Sequence, residues 1–375
     1  MILKTKFKKL LSKYLKDFEP YSGEISIPML AEQLGVNETD IIKIDANEND
    51  FIELSWLKEK LHSAIEKIDI TRYPDPQSYE LRKIIAKHEK VKFENVIMGN
   101  GTDDLIDCII RMFLDDNSKI IVIEPTFSMY RYSASMIGAE YCPVLLNEDF
   151  TLNLKKIRDE LSNNTKIIIL CSPNNPTANQ FSIEEIKELL DSTECIVVVD
   201  EAYSDFSKYS ISRDSNLLQK YDNLIVLKSY SKSWGLAGLR AGFALGNSEI
   251  IEYLRSIRKV YNFNSIAQAV LLEMYNDYDY IKSKINEIKK EREWLISQLK
   301  KIDGLIVYPS ETNFILIRLN THHKNIKDLI DTFLNKNILI RDRSNLPLLK
   351  NCFRITVSKR EINLKVLDIL KNFLS

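Results

Sequence analysis

Four apolar runs limit what this chain can fold into. Lys119 to Ile123, Ile167 to Leu170, Ile196 to Val199 and Leu224 to Leu227 are short, mostly β-branched, and bounded by turn residues. Runs of that length and composition read as buried strands rather than helices. Helical patterns separate them, and the alternation continues through Gly246. It reads as β-α-β units building a mainly parallel sheet. In such a sheet the carboxyl ends of the strands converge on one crevice. The residues that follow each run therefore carry the chemistry.

After the first of the last three runs comes Cys171-Ser172-Pro173-Asn174-Asn175-Pro176-Thr177, an Asn/Pro turn. The second ends in Asp200-Glu201-Ala202-Tyr203. The third leads into Ser229-Tyr230-Ser231-Lys232-Ser233-Trp234-Gly235-Leu236-Ala237-Gly238-Leu239-Arg240-Ala241-Gly242. A lysine in a dry pocket can lose its proton and condense with a carbonyl. Hydroxyls and an arginine fork suit a phosphate dianion. An amine nucleophile beside a phosphate cradle is what pyridoxal phosphate (PLP) demands. Taken alone, the same stretch also reads as a Ser/Gly loop with a surface lysine.

The joint pattern narrows the reading. D-x-A-Y, then S-x-S-K, then an arginine eight positions after the lysine, with N-P-T upstream, resembles the fold-type-I PLP aminotransferases. Arg72-Tyr73-Pro74-Asp75, Asp45-Ala46-Asn47-Glu48-Asn49 and Phe353-Arg354-Ile355-Thr356-Val357 narrow it to the histidinol-phosphate aminotransferases. The resemblance runs from about Asp45 to Asn363. It implies an α/β fold with a mainly parallel seven-stranded sheet in a large domain and a smaller α/β domain. Residues 1–44 would form an N-terminal arm and part of the small domain, 45–265 the large PLP-binding domain, and 266–375 the small C-terminal domain.

The resemblance also implies roles. Lys232 carries the cofactor and, once displaced by substrate, serves as general base and acid. Lys228 is the rival amine, without the arginine spacing. Asp200 pairs with the pyridinium nitrogen and keeps the ring an electron sink. Tyr203 and Asn175 bond the ring hydroxyl, and Phe127 stacks on the ring. Ser229, Ser231, Arg240 and the Gly101, Thr102 and Asp103 amides hold the phosphate, the last three as a helix N-terminus. Tyr73 reaches the phosphate of the other subunit, so the chain is expected to be a homodimer. Arg354 clamps the substrate anion, Asn47 lies near the substrate, and Arg341 is either a second clamp or part of an exposed charged loop.

Bulk properties exclude other classes. Lys+Arg 52 against Asp+Glu 53 gives a net charge of −1 and no case for nucleic acid. Five scattered cysteines without CxxC spacing read as reduced thiols of a cytoplasmic protein, not a zinc site. No apolar run approaches a membrane span. Lys4 to Phe18 is lysine-rich with apolar residues at helical spacing, and reads as a helix docked on its own protein or a partner. Ser78 is a candidate helix cap, and a long helical stretch from Ile266 to about Leu299 should break near Asn276-Asp277.

There are departures from the family pattern. Ala178 stands where N-P-T is usually followed by Gly, Phe127 lacks the usual hydroxyl, and Asp50-Phe51-Ile52-Glu53 replaces a Pro-Tyr-Gly-Pro loop on the expected substrate side. The expected reaction is transamination between histidinol phosphate and 2-oxoglutarate. An aromatic amino-acid aminotransferase and a phospho-amino-acid decarboxylase stay open as alternatives.

Overall fold

The computed structural model describes residues 10–15 and 25–375. Its strands are β1 (Ile42–Lys43), β2 (Val96–Gly99), β3 (Lys119–Glu124), β4 (Glu140–Leu145), β5 (Thr165–Cys171), β6 (Ile196–Asp200), β7 (Leu224–Ser229), β8 (Gly242–Gly246), β9 (Leu305–Val307), β10 (Phe314–Leu319), β11 (Ile338–Leu339), β12 (Arg341–Asp342) and β13 (Cys352–Thr356). Seven form one sheet in the order β2-β8-β7-β6-β5-β3-β4. Pairing from β7 through β4 is parallel. β8 alone runs antiparallel, to both β2 and β7.

The apolar runs are continuous because both faces of this sheet are covered. Successive side chains of a strand point to opposite faces. Ile168, Leu170, Val197, Val199 and Val226 pack into one apolar layer. Their neighbours Ile167, Ile169, Val198, Ile225 and Leu227 pack into the other. Fully burying each such side chain contributes about 1.5–3 kcal/mol.

A second, antiparallel sheet has the order β12-β13-β10-β9. β1 pairs with β11, so an early segment joins late ones. The Thr356 amide then donates to the Ile44 carbonyl at 2.8 Å. That bond fixes residues 44–47 against β13, next to the seven-stranded sheet's carboxyl edge.

Helices fall where periodicity places them, including Leu54–Ile65, Ser248–Ile257 and the pair Ser265–Asn276 and Tyr278–Leu299. The break is Asp277, whose backbone leaves the helical region (φ −116°, ψ 34°).

One expectation needs correction. Ser78 does sit at the start of helix Tyr79–Glu89, but its backbone is left-handed (φ 47°) and its hydroxyl caps nothing. The Asp75 carboxylate caps instead, accepting from the Gln77 and Tyr79 amides at 2.8 and 2.6 Å. Of the basic N-terminal segment, Lys13–Leu15 form a single 3-10 turn, and most of the rest lies outside the described residues. Lys13 and Tyr14 both donate to Asp116, at 2.9 and 2.5 Å, so this turn docks on its own chain. Among the described residues no helix is long and apolar enough to cross a membrane, and no cluster could hold a metal ion.

Candidate active site

A pocket of about 1420 Å³ opens at the carboxyl ends of β5, β6 and β7. Cys171, Asp200 and Ser229 bring those strand ends into its wall. Its far side is built from Asn47, Arg341 and Arg354. It thus lies between the two sheets.

Lys232 stands in this pocket, and its ammonium donates to the Ala46 carbonyl at 2.9 Å. Lys228, four residues earlier, lies elsewhere. Its Nζ is buried 3.1 Å from Glu201 Oε2 and donates to Ser204 and Ser210 at 2.8 and 2.9 Å. Period-2 alternation does not separate the two, because Lys232 lies beyond the strand end. Chain geometry gives one lysine to the interior of the protein and the other to the pocket.

Ser229, Ser231, Thr102, Asp103 and Arg240 share one side of the pocket. Helix Thr102–Phe113 starts there, with its first-turn amides unpaired within the helix. Gly101 caps it at φ 85°, and a Cβ there would lie 2.9 Å from Arg240 Nη2. Glycine is needed for both conformation and space. Gly242 is needed for space alone: its Cβ would meet the Thr102 nitrogen at 2.9 Å and the Lys228 carbonyl oxygen at 3.0 Å. Arg240 is held across this corner by Asp103, Nη2 to Oδ2 2.8 Å. The pocket lining thus includes a helix N-terminus, two serines and a guanidinium, a set of residue types that suits a phosphate.

Asp200 closes the floor. Its Oδ2 accepts from the Tyr130 hydroxyl at 2.7 Å and its Oδ1 from the Ala202 amide at 3.0 Å. Burial pushes this carboxyl up to about 6, against the two hydrogen bonds. Tyr203 accepts from Asn47 Nδ2 at 2.9 Å. Burial pushes its phenol up, while the Arg354 charge and the Asn47 bond pull it down. Phe127 lines the wall and meets the Tyr130 ring edge-on, centroids 5.8 Å apart.

Arg354 is buried, with Nη1 donating to Asn175 Oδ1 at 2.6 Å and Nη2 to the Asp45 carbonyl. Register places Arg341 directly opposite Arg354 on adjacent strands, so the two guanidinium side chains share one face. Arg341 is not part of an exposed loop: its side chain is 27% exposed and 4.0 Å from Asp45. The Asp50–Glu53 departure lies outside the pocket wall. Phe51 and Ile52 are core residues, Ile52 sits against Gly235, and Asp50 accepts from Ser358. That loop is a packing element, contrary to its expected place on the substrate side. Tyr73 is 78% exposed and stacks on Tyr261, centroids 4.3 Å apart.

The sequence matches the family described as "Aminotransferase class I and II" over residues 39–369. The chain belongs to this family. It is similar to the histidinol-phosphate aminotransferase of Clostridium novyi (strain NT), 35% identical over 364 residues and 96% of each chain. It is 36% identical over 361 residues to that of Flavobacterium johnsoniae, 95% of each chain. The solved structure of histidinol-phosphate aminotransferase from Sinorhizobium meliloti in complex with pyridoxal-5'-phosphate gives a TM-score of 0.85 at 21% identity, covering 97% of both chains. That last likeness shows the fold.

For a class I and II aminotransferase, sequence reading missed Tyr130 and the Asn47–Tyr203 bond. Tyr130 lies three residues after Phe127, in the first turn of the helix that follows it. The signal was there, but it names no partner. Nothing local joins Asn47 to Tyr203, 156 positions apart.

Proposed function

We propose that this aminotransferase holds PLP on Lys232 and transfers the amino group of histidinol phosphate to 2-oxoglutarate, giving imidazole acetol phosphate and glutamate. One observation carries the reading furthest: paired arginines, Arg341 and Arg354, stand in the pocket that contains Lys232. Two guanidinium forks suit a reaction whose two substrates bear different anions, a phosphate and carboxylates. The relatives' names agree with histidinol phosphate as one of the two.

The residues fit the cofactor. Ser229, Ser231, Arg240 and the amides of helix Thr102–Phe113 would take its phosphate, Asp200 its ring nitrogen, and Tyr203 with Asn175 its ring hydroxyl. Bound there, PLP supplies an electron sink for the charge left when the substrate's α-proton departs. The protein supplies the rest. Once freed by the incoming substrate, the Lys232 amine would take the α-proton from the substrate carbon and deliver it to the carbon of the cofactor that had been its aldehyde. Arg354, seated on Asn175 and the Asp45 carbonyl, orients the anion and so the C–H bond. Asn47 holds the Tyr203 hydroxyl in place.

The same reading divides the chain into a 1–44 arm with part of the small domain, a 45–265 large domain and a 266–375 small domain. It makes the working form a cytoplasmic homodimer. The stacked Tyr73 and Tyr261 lie with Ile70 and Val260 among the exposed large apolar side chains, at 72% for Ile70 and 61% for Val260. An apolar patch of that kind marks an interaction surface.

The purified protein with PLP, given histidinol phosphate and 2-oxoglutarate, is expected to form glutamate. Carbon dioxide released from phosphorylated amino acids, without glutamate, would replace this reading with a decarboxylase. Turnover of aromatic amino acids but not histidinol phosphate would replace the substrate alone.

A further inference from the structure

Asp200 is buried at the end of β6, and each of its carboxylate oxygens accepts one hydrogen bond from the protein. One donor is a backbone amide. The other is Tyr130, on helix Met129–Ile137, a side chain with no exposed surface. We propose that Tyr130 is a positioning residue for the reaction: its hydroxyl fixes the orientation and the charge of the Asp200 carboxylate, so that Asp200 meets the ring nitrogen of the cofactor and keeps it protonated. This rests on the reading of the pocket as a PLP site.

The surroundings of Asp200 make that hydroxyl matter. Asp103 from helix Thr102–Phe113 and Glu201 from the strand's own end both disfavour a second negative charge. Cys171 at the end of β5 and Tyr203 are uncharged neighbours. None of these is a cation. Burial works against the ionised form, and the Tyr130 hydroxyl is the largest influence opposing it. Hydrogen bonds to a carboxylate favour its charged state. A charged, fixed carboxylate is what keeps a pyridine nitrogen protonated.

The geometry couples this to ring binding. Phe127, on the pocket wall, packs edge-on against the Tyr130 ring. The aromatic face offered to a planar ligand and the hydroxyl that holds Asp200 are thus one unit. A tyrosine filling core space would need only to satisfy its own hydroxyl, and any buried acceptor would do.

The test is Tyr130→Phe, which keeps the ring and removes the bond. Wild type and variant are loaded with PLP labelled with nitrogen-15 in the ring, and the resonance is followed from pH 6 to 9. Wild type is expected to stay protonated throughout. The variant is expected to lose the ring proton within that range, bind PLP about tenfold more weakly, and show kcat down about tenfold with KM unchanged, the scale of one charge-assisted hydrogen bond. A protonated nitrogen throughout and a PLP dissociation constant within about twofold of wild type, the reach of a surface-like change, would overturn the proposal. If Tyr130→Phe does not fold, fluorinated tyrosines at 130 change the hydroxyl's acidity at nearly constant shape. Ring-nitrogen protonation that tracks that acidity supports the proposal, and none refutes it. Wild type that binds no PLP would overturn the functional reading and this proposal with it. A normal wild type matched by the variant would overturn this proposal alone.

Discussion

Asp200 shows how a site residue acts on the fold that carries it. Its carboxyl is held at about 6 by burial, above the ordinary value near 3.9 of an unfolded chain. The folded protein without cofactor therefore binds more protons than the unfolded chain between those two values. Stability falls as pH rises from about 4 through about 6 and stays lower above. Asp200→Asn removes that cost. Urea unfolding of the cofactor-free proteins at pH 8 is expected to show the variant more stable by up to about 2–3 kcal/mol, the energy of a two-unit shift. At pH 4 the gain should vanish, and PLP binding should weaken throughout. Equal midpoints at pH 8 would refute the account. Asp200 was visible in the sequence because it ends a β-branched run in a four-residue motif. Tyr130, which bonds it, was not, because helix Met129–Ile137 has to pack on the sheet before its hydroxyl acquires a partner. Ala178 is a different case. The structure gives it φ 66° in a fully buried turn, the left-handed conformation that favours glycine. A strained alanine there is tolerable because its methyl is buried, which offsets part of a cost of about 1–2 kcal/mol.

On the proposed reading, the element that decides cofactor affinity is the strand-turn-helix from β2 through Gly101 into Thr102–Phe113. Its glycine serves two needs at once, a positive φ and room for Arg240. Gly101→Ala is expected to push the guanidinium off its place beside Asp103 and to strain the turn by about 1–2 kcal/mol. PLP affinity should drop by at least about tenfold, since one charge-assisted contact is disturbed. Equilibrium dialysis with PLP measures this, and an unchanged dissociation constant would show that Arg240 is not part of the phosphate cradle. At this scale the sequence was most readable. Strand runs and the Asn276-Asp277 break follow from periodicity and turn residues. Arg341 was ambiguous because β12 is only two residues long. No periodic signal exists in so short a strand, and its place opposite Arg354 comes from pairing with β13. The Asp50–Glu53 loop misled for a related reason: a loop's neighbours are set by the fold around it, here Gly235 and Ser358.

At the scale of the molecule, Tyr73, expected to complete the partner's site, stands away from the pocket of its own chain. Tyr73 is on a turn stiffened by Pro74 and Pro76, exposed, and stacked on Tyr261 rather than set in the pocket wall. Two stacked exposed tyrosines, with exposed Ile70 and Val260 close to them in sequence, are costly to leave in water and are natural anchors for an interface. In a twofold dimer the same patch meets itself, and each chain can lend Tyr73 to the other's pocket. The prediction is that sites are shared. Tyr73→Ala alone should lose at least about tenfold in activity, the scale of a lost hydrogen bond to phosphate, and Lys232→Ala should lose all turnover. Mixed dimers of the two variants then separate the possibilities. If Tyr73 crosses the interface, one pocket of a mixed dimer carries both defects and the other carries neither. Activity of the isolated mixed dimer should return to about half that of wild type, one working site of two. If each pocket is built from one chain, every pocket keeps a defect and nothing returns beyond the Tyr73→Ala level. A fully active monomer by sedimentation would refute sharing directly.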